Sequence, residues 1–269
     1  MRLACIYMPV FPLQSAVVAE PHLAGSAVVV LGSGVPPAVV ACSRAAFQAG
    51  VREGMSPSQA RARVGELSVV PGSPLRWREE MLALAAEVGA LLPGTAVDLS
   101  EALRGEGVVN HPLLFLAVPT GQRGERFGRR LLDVVSARCP SARVGIAADR
   151  FTARAAARTR GSSPVVVVTR AAAAAFLAPL SIDLLPLRDE VRVLLRAAGV
   201  HTLGEFAALP PPSIEPRPAG AIDYQELARG NGPSEPCPRA PLLAPGLPPR
   251  PAPRRARRRG DDRQLQLAS

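Results

Sequence analysis

Short apolar runs recur along most of the chain, and the polar positions between them follow two different periods, one of strands and one of amphipathic helices. Residues 3–10 form an apolar run closed by Pro9 and Pro12, which predicts a buried strand and then a turn. Two further runs, 27–31 and 38–42, predict adjacent strands on either side of a Gly/Pro segment. Ser56, Pro57 and Gln59 place a hydroxyl at an N-cap, proline at the first helical position and glutamine at the third, so a helix is expected over 57–63. A strand at 67–70 and an amphipathic helix over 75–92, stopped by Pro93 and Gly94, follow. Strands are predicted at 97–99, 113–118, 142–147 and 165–168, with helices at 126–137 and 151–159, the second capped by Asp149. This alternation predicts a sheet with helices packed against it. After Ala171 only helices are expected, at 187–198, from a capping box at Thr202 and Glu205, and at 224–229.

With 269 residues, 48% of them apolar, the chain has enough to bury a proper core in one moderate domain or two small ones. A collagen, a disordered tail protein and a disulfide mini-scaffold are excluded. All 32 basic residues are arginine, which GC-rich coding produces without selection on function. The net charge of +10 is unevenly spread, because residues 239–269 carry +6 and leave +4 for 1–238. A Pro/Arg tail with little to bury is expected to be disordered over 233–269. Such a distribution fits a polyanion partner or, equally, a solubilising tail.

Cys5, Cys42, Cys139 and Cys237 are widely spaced and form no zinc or redox motif, so a reduced, cytoplasmic setting is expected. The apolar N-terminus contains Pro9, Pro12 and Gln14, which suits neither a signal peptide nor a membrane span, and no membrane association is expected.

Several segments in order resemble the Y-family (UmuC-like) DNA polymerases, specifically the ImuB-like catalytically inactive branch. They are LACIYMPVFPLQ at the start, VVACSRAAFQAGVREGMSPSQARAR with Ala49, Gly50, Val51, Gly54 and Met55, then LLFLAVPTG, ARVGIAADRFTARAAA and LLRAAGVHTLGEFAALP. The likeness extends over about residues 1–230. It implies an α+β fold, with a ferredoxin-like palm sheet from 1–16 and 67–170, small fingers from 17–66 and a helical thumb from 171–232. The DNA-gripping little-finger domain of the family has no counterpart before the tail.

Polymerases of this kind need carboxylates converging on two magnesium ions. Where the resemblance places the first acid, the chain has Tyr7; the paired acids of the central hairpin are reduced to Asp98 and Glu101, three apart, and Ala117 stands where another acid is frequent. On a strand, residues three apart face opposite sides, so Asp98 and Glu101 read as surface acids at a strand end and only as weak metal candidates. The family's triphosphate-contacting tyrosine and arginine correspond to Arg44 and Phe47, its sugar gate to Pro12 and its palm lysine to Gly161. The resemblance therefore implies polymerase architecture without catalysis, and no cofactor.

Three features remain that can bind a partner. Arg150, Arg154 and Arg158 recur at i, i+4 and i+8, giving one basic stripe suited to a DNA backbone or to plain solvation. Gly199, Thr202 and Gly204 belong to a turn whose amides can hold a DNA phosphate at a helix N-terminus, although Glu205 opposes an anion there. Gln264, Leu265 and Leu267 resemble a sliding-clamp docking peptide, with Ala268 in place of the terminal aromatic. The reading these support is a non-catalytic adaptor in bacterial DNA damage tolerance and SOS translesion synthesis. Its partners would be DNA, held weakly and electrostatically, the sliding clamp, an error-prone replicative-type polymerase and a RecA-like accessory protein. A divergent polymerase with residual activity and a basic DNA-binding module unrelated to mutagenesis stay open as alternatives.

Overall fold

The computed structural model describes residues 1–91, 96–104, 107–108, 110–159, 161–210 and 223–233. The chain enters on β1 (Arg2–Tyr7), turns into α1 (Phe11–Ala19) and continues through β2 (Val28–Leu31), β3 (Val39–Cys42), α2 (Arg44–Gln48) and α3 (Pro57–Arg61). Next come β4 (Ser68–Pro71), the long α4 (Pro74–Ala90), β5 (Val97–Asp98), the short pair β6 (Leu103–Arg104) and β7 (Gly107–Val108), and β8 (Leu113–Val118). Then α5 (Gly124–Val135), β9 (Arg143–Ala147), α6 (Arg150–Arg158) and β10 (Val165–Val167) complete the α+β part. Helices α7 (Ala173–Leu177), α8 (Asp189–Ala197), α9 (Leu203–Ala208) and α10 (Tyr224–Ala228) follow.

The main sheet has the order β10-β9-β1-β8-β5, with β1 at its centre, antiparallel to both β8 and β9. A central strand is covered on both faces, which is why β1 reads as an unbroken apolar run. Its alternate residues divide between two layers. Ala4, Ile6 and Met8 join Leu114, Leu116, Met81, Phe127 and Leu131, so α4 and α5 pack on that face. Cys5 and Tyr7 join Leu113, Phe115, Ala153, Ala156 and Ala157, so α6 packs on the other. The small side chains of α6 let it lie close, and Gly145 of β9 completes the fit: a Cβ there would stand 2.1 Å from the Ala153 carbonyl oxygen. A second sheet, β3-β2-β4, forms the core of the segment between β1 and α4.

The structure corrects the predicted turn after the first strand. Residues 11–19 are helical, with Pro12 tolerated in the first turn and Val10 at the N-cap in the left-handed region, φ 44°. That conformation is rare and strained for a β-branched residue. A five-residue helix, α2, capped by Ser43, also went unpredicted. The capping boxes at Ser56/Gln59 and Thr202/Glu205 and the Asp149 cap form as the sequence predicts. Among the described residues no helix is long and apolar enough to cross a membrane, and Cys5, Cys42 and Cys139 are free thiols.

Candidate functional site

Two sequence candidates far apart in the chain meet at the N-terminus of α6. β5 ends at Asp98 and the chain turns at once, which swings Glu101 back toward the same side. Arg150, first residue of α6, donates to Asp98 Oδ2 at 2.6 Å, to Glu101 Oε1 at 2.9 Å and to Ser100 Oγ at 3.1 Å. Its guanidinium also lies 3.8 Å from the centre of the Phe115 ring. The expectation that Asp98 is a surface acid is overturned: it is 3% exposed, and its other oxygen accepts the Ser100 N–H at 2.8 Å. Burial raises its pKa, but the Ser100 N–H and the Arg150 guanidinium outweigh that and hold the carboxyl below its ordinary value. Asp98 and Glu101 do converge, therefore, and the cation between them is a guanidinium.

Of the other stripe residues, Arg154 is tied inward and Arg158 is exposed. Arg154 donates to the Leu184 carbonyl at 3.0 Å and approaches Glu101 at 3.6 Å, while Arg158 lies 5.8 Å from the centre of the Tyr7 ring. Tyr7, at the position of the first acid in the resemblance, sits 6.1 Å from His111 between ring centres. Ala117 lies on β8 opposite Leu3, four residues from Leu113, the partner of Tyr7.

Beside Tyr7 opens a cavity of about 920 Å³, lined by Val10, Cys42, Arg44, Phe47, Gln48, Arg52, Glu53 and His111. It has the size of an ordinary small-molecule pocket. Arg52 is tied into the wall: it donates to the Phe47 and Val51 carbonyls and stacks 4.0 Å over the Phe47 ring. His111 accepts the Val10 N–H through Nδ1 at 3.1 Å, which puts its own proton on Nε2. Burial, helped by nearby Arg158 and opposed by Glu53, lowers its pKa, so the ring is neutral near pH 7. Arg44 and Phe47 were anticipated here. Val10, Arg52, Glu53 and His111 were not, because nothing in their spacing ties a loop before β8 to the end of β3.

At Gly199 (φ 82°) the turn before α9 has the predicted form, but its amides are spent inside the chain. The N–H groups of His201 and Thr202 donate to Glu205 Oε2, those of Leu203 and Gly204 to the Leu180 and Ala178 carbonyls, and that of Glu205 to Thr202 Oγ1. Gly204 is needed for the close approach to Ala178, whose carbonyl oxygen would stand 3.0 Å from an added Cβ. The anion at this helix end is the chain's own Glu205. Gln264, Leu265 and Leu267 lie outside the described residues.

No curated protein sequence matches the chain. Among solved structures it is similar to DinB from Sulfolobus solfataricus, with 18% identity and a TM-score of 0.60 over 78% of this chain and 61% of that one. It is also similar to a chimeric Y-family DNA polymerase (19% identity, TM-score 0.66) and to a post-insertion binary complex of Dbh DNA polymerase (20%, 0.66), each over 88% of this chain and 69% of theirs. At such identities the likeness is one of fold, and the chain spans about three fifths to two thirds of the length of these proteins. The family model named for impB, mucB and samB matches residues 6–158, more than half of the chain. The family match and the structural likeness agree: the chain belongs to the impB/mucB/samB family, with the Y-family polymerase fold.

Proposed function

We propose that this protein is a non-catalytic member of its family that acts as an adaptor in DNA damage tolerance. In that role it uses a polymerase-shaped body to bring an error-prone replicative-type polymerase and a RecA-like accessory protein to the sliding clamp and to DNA. One observation carries the proposal. The carboxylates of Asp98 and Glu101 share the guanidinium of Arg150 at 2.6 and 2.9 Å, so an internal cation satisfies them. Phosphoryl transfer through two magnesium ions needs oxygen ligands free to bind metal and a third carboxylate near the reacting atoms. Tyr7, in place of a carboxylate at the end of β1, supports the same reading. Polymerase complexes among the similar structures support DNA as a partner. The clamp rests on residues 264–267 alone.

Primer extension on a template with either magnesium or manganese tests the catalytic half. No extension is expected, from the full chain or from its Asp98→Ala variant. Extension by the full chain that disappears in Asp98→Ala overturns the proposal in favour of a divergent polymerase. For the adaptor half, the full chain should retain the clamp in a pull-down and a chain lacking residues 264–269 should not; equal retention removes the tether.

A further inference from the structure

α5 turns a basic stripe outward. Phe127, Leu131 and Val135, at i, i+4 and i+8, are buried against the sheet and α4. Arg126 and Arg130, at i and i+4, form a stripe on the flank of that buried face, Arg123 stands just before them at the N-cap, and all three are exposed. Among the described residues none of them makes an ion pair or a side-chain hydrogen bond. Several other arginines of the body are neutralised: Arg76 by Glu80, Arg129 by Glu125, Arg138 by Glu87, Arg192 and Arg196 by Asp183, and Arg229 by Glu226. On α6, Arg150 and Arg154 are paired with Asp98 and Glu101, which leaves Arg158 as the one exposed arginine of that stripe. Asp133 is the one acid that follows on the α5 face, and it stands at its C-terminal end.

We propose that this back face of the main sheet, through Arg123, Arg126 and Arg130, is where the folded body meets duplex DNA. The inference rests on the DNA-binding half of the proposed function and relocates the contact from α6 to the other side of the sheet. Spacing favours a duplex backbone. From Arg123 to Arg130 the helix rises about 10 Å, and one strand of a duplex presents a phosphate about every 3.4 Å along its axis, so three arginines track about three phosphates. Arginine suits the task because its guanidinium stays charged and forks onto phosphate oxygens.

The test uses the full chain and a fluorescein-labelled 20-base-pair duplex, with anisotropy titrations at several sodium chloride concentrations. A variant combining Arg123→Gln, Arg126→Gln and Arg130→Gln keeps helix propensity and removes the three charges. Each phosphate contact contributes about 0.9 to the slope of log K against log salt, so the slope should shrink by about 2.7 in this variant, with an unchanged melting temperature. As a comparison, a tail variant combining Arg254→Gln, Arg255→Gln and Arg257→Gln should lower the slope independently of the first. A wild-type slope that survives the α5 substitutions overturns the assignment of the face while leaving DNA binding in place. Tighter binding of the α5 face to single-stranded RNA, or to anionic lipid vesicles, than to the duplex overturns the choice of partner. If the wild-type chain binds no duplex at any salt concentration, both this inference and the DNA-binding half of the proposed function fall together.

Discussion

Arg150 is the residue on which the interior electrostatics turn. Asp98 is almost fully buried, and its charge is tolerated because the guanidinium and the Ser100 N–H both reach it. Removing one partner of such a pair leaves the other buried and uncompensated, so Arg150→Ala should destabilise the fold by about 3 kcal/mol. Urea unfolding should show this as a lower midpoint at unchanged slope. The double variant Arg150→Ala with Asp98→Asn should recover part of the loss, since it leaves no orphaned charge. The same carboxyl sets an acid limit. Its folded pKa lies below the ordinary 3.8, so the unfolded chain takes up its proton first, and the stabilisation is complete above about 3.8 and drains as pH falls through the lower folded value. Asp98→Asn should flatten that acid limb in melts between about pH 5 and 2. His111 acts at milder pH with the same sign. Burial lowers its pKa from 6.5, so stability is full above that value and declines as the unfolded chain protonates first below it. His111→Asn keeps an acceptor toward the Val10 N–H without a titrating ring, and should remove the part of the stability loss between pH 7 and 5 that belongs to this side chain.

Among the elements, α6 carries the closest packing. Gly145 faces it without a Cβ, and an added methyl would stand 2.1 Å from the Ala153 carbonyl oxygen and 2.4 Å from the Ala157 nitrogen. Backbone cannot yield as a flexible side chain does, so Gly145→Ala should cost about 3 kcal/mol, toward the upper end of overpacking penalties. The loss should appear as a lowered melting temperature, with slow amide exchange lost along β9 and α6. Why α6 was legible beforehand is plain from its residues: an Asp149 cap and arginines at i, i+4 and i+8 obey one helical period. α1 was not legible, because apolar residues surround it on every side, so it shows no period, and Pro12 reads as a breaker unless its place in the first turn is known. The strands of the main sheet were visible as apolar runs, whereas their order was not, since β1 finds both β8 and β9 more than a hundred residues away. The site suffered most from this distance. Asp98 and Arg150 are 52 residues apart, and only the fold makes them neighbours, turning two weak metal candidates and a DNA-contact candidate into one ion-paired cluster.

At the scale of the whole molecule, α6 joins two cores. Its Ala153, Ala156 and Ala157 belong to the layer on the main sheet, while Phe151 and Ala155 belong to the cluster that Leu177, Leu185, Leu203 and Leu227 build among the C-terminal helices. That second cluster is small, and α8 contributes no buried side chain to it: Val193 and Leu194 on its outer side are 64% and 69% exposed. The helices after β10 thus depend for cooperativity on Phe151, the largest side chain α6 places among them. Phe151→Ala should cost about 3–4 kcal/mol, and the loss should fall on the helical part rather than on the sheet. Trp77 makes the distinction measurable. As the only tryptophan, and buried in the α4 layer of the main sheet, it reports that core alone. In the wild-type chain, tryptophan fluorescence and far-ultraviolet circular dichroism should follow one coincident thermal transition. In Phe151→Ala the circular dichroism should begin to fall first, as α7, α9 and α10 melt, while the fluorescence transition stays within a few degrees of wild type. Coincident transitions displaced together to lower temperature would mean that the two cores unfold as one unit, and that α6 couples them through the sheet rather than through Phe151.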